Sequence, residues 1–260
     1  MSKNVVEVVG VCRTYKSARG EEVHALENVS LTVSEGEFVS IIGSSGCGKT
    51  TLLRLVAGLD KPQSGTCSLN GAPIVAPSPK SGYVFQQQSL FPWLTVEGNI
   101  ASGLKARGVY KQYKDEVPKY ISLVGLDGFE HSYPHQISGG MAQRAAIARS
   151  LINRPSVLLL DEPMGALDSF TRAGLQDKLL EIWRANGTTM ILVTHDIDEA
   201  IYLSDKIVIM TPRPGKVSEV LEVKFPHPRH RGGAEFLGLR RVILEKLNLA
   251  SAQPQPEYRI

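Results

Sequence analysis

Residues 43–50 read GSSGCGKT, a glycine-rich run that follows the apolar FVSII and opens the helical pattern KTTLLRLVAGL. Gly43, Gly46 and Gly48 let the backbone wrap closely around an anion, and the N–H groups of a helix N-terminus turn their positive ends toward it. Ser44, Ser45 and Cys47 fill the loop, Lys49 adds a point charge, Thr50 offers Mg²⁺ a hydroxyl, and Thr51 continues the first helical turn. This is the chemistry of a nucleotide polyphosphate site with Mg²⁺. Cys47 allows two readings, because a helix N-terminus favours a thiolate whereas a small filler side chain needs no reactivity.

A second group is VLLLDEP, in which Asp161 and Glu162 follow a strongly apolar run. On an extended segment adjacent side chains point to opposite sides, so the two carboxylates are expected to divide the work. Asp161 would hold Mg²⁺ through water, and Glu162 would polarise an attacking water. Without the phosphate loop the same pair reads as an ordinary strand-end cluster. His195 closes TMILVTH at a strand edge, where a histidine is either structural or a contact to the terminal phosphate. Ser138, Gly139 and Gly140 lead into the Ala-rich GMAQRAAIARSL, a second helix N-terminus of phosphate-binding character. Two phosphate-facing loops for one Mg²⁺ site imply that the second serves the nucleotide of another copy, in a head-to-tail pair. Read alone, it is a Gly-rich helix cap.

These groups need a scaffold. The first 42 residues alternate β-branched runs with turns, and Ser34-Glu35-Gly36-Glu37 reads as a hairpin turn. Strand–loop–helix order around GSSGCGKT and VLLLDEP predicts an α/β fold with a mainly parallel sheet, an N-terminal antiparallel β subdomain and an inserted helical subdomain. Residues 1–86 and 151–220 would form the catalytic core, 87–150 the helical subdomain, and 221–260 a C-terminal extension with an amphipathic helix. GLQDKLLEIWRAN is expected to end at Gly187. The segment LFPWLTVEGNI places Phe91, Trp93 and Leu94 around Pro92, which keeps the turn out of a regular helix. Those side chains either pack the insertion or present apolar area to a partner.

Charge leaves the partner open, since 29 basic against 26 acidic residues give only +3. Cys12, Cys47 and Cys67 lack CxxC spacing, so neither a disulfide framework nor a zinc site is indicated, and a reducing cytoplasm fits. No apolar run approaches the roughly 18 to 20 residues that span a bilayer, and no signal peptide is expected at the start. The basic stretch from Lys224 to Arg231 reads as a solvated loop, with lipid or nucleic acid contact as the alternative.

Taken together, GSSGCGKT, the glutamine at VFQ, ISGGM, VLLLDEP, GALD and THD follow the order of the ATP-binding subunits of ABC transporters, which this chain resembles over nearly its whole length. The resemblance implies that Ser138, Gly139 and Gly140 close on the nucleotide of a second copy, with Asp168 at the contact. It also implies that Tyr15 stacks on adenine, that Gln86 senses Mg²⁺ and a transmembrane permease, and that His195 holds the terminal phosphate. Ile137, Met141 and Gly165 stand where the family commonly has Leu, Gln and Ser. LFPWLTVEGNI and FPHPRHRGGAEFLGLRRVILEKL look like the ATPases of importers for nitrate, sulfonates, taurine and related small anions. A permease, an extracytoplasmic solute-binding protein and a place on the cytoplasmic face of the membrane follow as expectations. The rival readings are a soluble ATPase of the same type acting on nucleic acid or ribosomes, and a phosphotransferase, which leaves Ser-Gly-Gly unexplained.

Overall fold

The computed structural model describes residues 3–16, 20–87 and 89–251; Gln88 and residues 252–260 of the expected C-terminal extension lie outside them. In chain order the strands and helices begin with β1 (Asn4–Lys16), β2 (Glu22–Ser34), β3 (Phe38–Ile42) and α1 (Lys49–Val56). β4 (Ser64–Leu69), β5 (Ala72–Pro73), β6 (Ser81–Val84), α2 (Val96–Ala106), α3 (Tyr110–Tyr113), α4 (Val117–Leu123) and α5 (Gly139–Leu151) follow. The chain continues through β7 (Val157–Asp161), α6 (Ser169–Asn186), β8 (Thr189–Thr194), α7 (Ile197–Leu203), β9 (Lys206–Met210), β10 (Val217–Glu222) and α8 (Ala234–Ser251). Two compact units result, one holding the chain up to Pro77 and from Ile191 onward, the other Ser78–Met190.

In the first unit β2, β1, β4 and β5 form an antiparallel sheet. β3 runs parallel to β9, and β10 closes on β9 antiparallel. The expected hairpin is corrected here. Residues 34–37 do turn, with the Glu37 N–H donating to the Ser34 carbonyl at 3.2 Å and the Ser34 N–H donating to the Glu37 carboxylate at 2.8 Å. The turn nevertheless passes from one sheet to another, since β2 pairs with β1 and β3 with β9. The reason is burial: every residue of β3 is buried while β2 is partly exposed, and a strand apolar on both faces belongs in a covered parallel sheet.

The basic stretch before α8 is also not wholly solvated. Arg229 is buried and donates to the carbonyls of Ile201, Ser204 and Phe225 at 2.6, 2.7 and 3.1 Å. Burial lowers its pKa to about 10, against the opposing charge of Asp205. The residue thus ties the loop to the end of α7. Phe236 and Ile243, seven residues apart on α8, are buried as one helical face.

In the second unit β6 and β7 pair in parallel, Val84 opposite Leu160. Helices α2 to α5 follow between Val96 and Leu151. Gly187 ends α6 in the left-handed conformation, its N–H returning to the Trp183 carbonyl. No helix among the described residues is long and apolar enough to cross a membrane.

Candidate nucleotide site

The phosphate loop joins buried β3 to α1. Gly48, the N-cap of α1, has φ +104°, and a Cβ there would lie 2.7 Å from the Ala25 carbonyl oxygen. A Cβ at Gly43 would lie 2.8 Å from Cys47 Sγ and 3.0 Å from the Met210 carbonyl oxygen. Glycine is therefore required by both conformation and space. Ser44, Ser45, Gly46 and Thr50 are exposed, Thr51 is half-buried and Lys49 is buried. Lys49 Nζ donates to the carbonyls of Gly43 and Ser44 at 2.9 and 3.1 Å, so the ammonium is already held inside the loop's curve. Of the two readings of Cys47 the filler one holds: the residue is buried, and burial raises its thiol pKa despite the charge of Lys49.

One contributor went unseen in the sequence, where TPRPGK marks only a change of composition. Arg213 Nε donates to the Gly46 carbonyl at 3.1 Å. Gly215 exchanges backbone hydrogen bonds with Ala25 and Glu27, both at 3.0 Å, and a Cβ on it would fall 1.9 Å from the Cys47 carbonyl oxygen. Residues 213–215 thus brace the loop from behind. His195, exposed, follows β8, the neighbour of β3 in the sheet. Tyr15 donates its hydroxyl to Asp60 at 2.6 Å, and the Arg13 guanidinium lies 4.6 Å from the ring centroid. Burial alone would raise the Asp60 pKa, but hydrogen bonds from Tyr15 and the Lys61 amide outweigh it and hold the carboxyl low.

In the second unit Asp161 ends β7 as a buried carboxylate and accepts the Tyr83 hydroxyl at 2.8 Å. Glu162 corrects the expectation of an extended pair: its φ is +44°, so the backbone turns at this residue and strand alternation no longer sets its direction. Gln86, two residues past β6, donates its amide to Glu162 Oε2 at 3.0 Å. Parallel register explains the meeting, since Val84 faces Leu160 and each chain then runs two residues further.

Ser138 caps α5, its hydroxyl accepting from the Met141 N–H at 3.3 Å, and Gly139 and Gly140 form the first turn. A Cβ on Gly140 would meet Thr171 Cγ2 at 2.2 Å, so the glycine lets α5 start against the first turn of α6. Asp168 caps α6. It accepts from the Thr171 hydroxyl at 2.6 Å and from the Phe170 and Thr171 amides at 3.1 Å, which hold its carboxyl low. Phe170 beside it is 89% exposed, an apolar ring left uncovered next to the cap.

The opening of the helical segment is shaped by two residues that periodicity gives no reason to select. Buried Asn99 accepts from the Phe91 N–H at 2.7 Å and donates to the carbonyls of Phe91, Leu94 and Thr95. Arg149 donates to the Ser89 carbonyl and hydroxyl, both at 2.7 Å, with its guanidinium 5.4 Å from the Phe91 ring centroid. Beside them opens a groove of about 480 Å³ whose walls include Tyr83, Phe85, Phe91, Ser102, Arg149 and Asn153. Trp93, 70% exposed, lies near Phe91 without lining it.

The donor set fits ATP with Mg²⁺. The loop offers backbone N–H groups, Lys49 and an exposed Thr50 hydroxyl. Among the described residues no cluster of three His, Cys, Asp or Glu side chains could hold a metal.

A glycine-tailored strand-to-helix phosphate loop in an α/β fold defines a P-loop nucleotide triphosphatase. The family model described as ABC transporter matches residues 26–165, more than half of the chain. The chain is 53% identical over 232 residues to an aliphatic sulfonates import ATP-binding protein of Bacillus cereus, covering 89% of this chain and 92% of that protein. It is 49% identical to the bicarbonate transport ATP-binding protein of Synechococcus elongatus, covering 94% of this chain and 38% of that protein. A solved dimer of an ATP-binding cassette in a post-hydrolysis state, bound to ADP and Pi, superposes with TM-score 0.74 at 33% identity, covering 85% of this chain and all of that one. The structure of cbiO1 from Clostridium perfringens, part of an ABC transporter complex, superposes with TM-score 0.75 at 26% identity and 95% coverage of both chains. This chain belongs to the ABC transporter family and is an ATPase of it.

Proposed function

We propose that this chain is the ATPase subunit of an import system for a small anion, of the sulfonate, taurine, nitrate or bicarbonate kind, working as a head-to-tail pair of identical copies. Each copy holds ATP on Gly43 to Thr51, with Tyr15 against the base, Lys49 and His195 on the terminal phosphate, and Ser138, Gly139 and Gly140 closing on the partner's nucleotide. Thr50, Asp161 and Gln86 hold Mg²⁺, which when bound neutralises phosphate charge. Glu162 takes the proton of the attacking water. The apolar groove beside the glutamine turn, with Trp93 at its margin, receives a transmembrane permease on the cytoplasmic face of the membrane. An extracytoplasmic solute-binding protein then delivers the anion.

The observation that carries this reading is the Gln86–Glu162 hydrogen bond, which joins the base to the segment that opens the helical subdomain. A permease that shifts this turn would free or engage the base. The test is Glu162→Gln in the permease complex in proteoliposomes. Phosphate release and solute uptake should fall at least about 100-fold, in line with loss of a general base, while ATP still binds and drives pairing seen by light scattering. Persisting phosphate release would remove Glu162 from the mechanism, and stimulation by RNA or DNA in place of the permease would favour the rival reading.

A further inference from the structure

The phenol of Tyr83 has no place in the mechanism above, yet it touches the one buried carboxylate of the site. Tyr83 stands opposite Leu159 in the β6–β7 register, and Asp161 lies two residues further on the same strand face. The hydroxyl reaches Asp161 Oδ2 at 2.8 Å along that diagonal. The ring is held in turn: its centroid is 4.6 Å from that of Phe85, and the Tyr83 carbonyl accepts the Ser150 hydroxyl at 3.0 Å.

We infer that Tyr83 is a positioning residue for the cation, its hydroxyl fixing one oxygen of Asp161 so that the carboxylate meets Mg²⁺ in a single orientation. A carboxylate on a strand end has a broad terminal torsion, and at Asp161 the following residue already leaves the strand at φ +44°. A donor on Oδ2 removes that freedom before the cation arrives, the preorganisation that tight binding requires. Phenylalanine would keep the ring, the Phe85 contact and the groove wall, and would lose the hydroxyl that donates to Asp161.

The inference rests on the reading of Asp161 as a Mg²⁺ ligand, and the experiment separates the two. Full-length chain carrying Glu162→Gln is loaded with ATP, and Mn²⁺ is titrated by electron paramagnetic resonance. Metal-free ATP affinity is measured alongside with a fluorescent analogue. Adding Tyr83→Phe should weaken Mn²⁺ binding about tenfold to a hundredfold, the scale on which a partner that orients a metal-binding carboxylate acts. ATP affinity without metal should stay within about twofold. Tyr83→Met, which also lacks the hydroxyl, should shift Mn²⁺ at least as far. Unchanged Mn²⁺ affinity in Tyr83→Phe overturns the inference, as does an equal loss of metal-free ATP affinity or failure of both variants to fold, either of which makes the residue a support of the fold. Asp161→Asn is run in parallel and should lose more Mn²⁺ affinity than either. If it loses none, the ligand assignment of Asp161 fails, whatever Tyr83 does.

Discussion

The phosphate loop and the acidic end of β7 both begin where a buried strand stops, but they are made of different material. The loop is backbone: its curve is set by Gly43, Gly46 and Gly48, and its one buried charge, Lys49, is held by carbonyls. The acidic end is side chains: Tyr83 on Asp161, Gln86 on Glu162, and Thr171 on Asp168. A backbone cradle tolerates almost no added atom, because its walls cannot rotate away. A side-chain cluster tolerates added atoms but not the loss of a donor.

That contrast can be broken by three substitutions. The largest effect is expected for Gly48→Ala, where one methyl meets a carbonyl 2.7 Å away at φ +104°. Nucleotide affinity by fluorescence titration should fall at least about tenfold, from strain of roughly 1–2 kcal/mol plus the clash. Next comes Arg213→Ala, which removes the donor to the Gly46 carbonyl. Affinity should weaken about twofold to fivefold, matching roughly 0.5–1 kcal/mol for one exposed hydrogen bond. The smallest is Gly165→Ser, since a Cβ there meets nothing closer than the Glu162 carbonyl oxygen at 3.5 Å. Thermal unfolding and ATP turnover should stay near those of the parent. A loop that accepts Gly48→Ala, or an acidic end that fails with Gly165→Ser, would reverse the contrast.

The two regions also differ in how far they can be read ahead. GSSGCGKT names its own geometry, because glycine, lysine and threonine at that spacing have one common use after a strand. Asp161 and Glu162 are visible by type, but the left-handed turn at Glu162 is not, since a glutamate carries no sign of positive φ. Tyr83 and Arg213 are invisible as site residues. Tyr83 reaches Asp161 only through a strand register, and Arg213 reaches Gly46 across 167 positions of chain. Ser34–Glu37 shows the same limit from another side: its turn chemistry is legible, while the sheet that the next strand joins is not.

What the sequence determined by itself is local: the phosphate loop, the helix start at Ser138, the stop at Gly187 and the family to which these motifs belong. Their physics is contained within a few residues, in caps, glycine torsions and a strand-to-helix turn. The tertiary structure decided who touches the two carboxylates, which segment braces the loop from behind, and that Arg229 is buried rather than solvated. Those outcomes depend on parallel pairing and on burial between segments distant in sequence, and composition and periodicity carry no record of either.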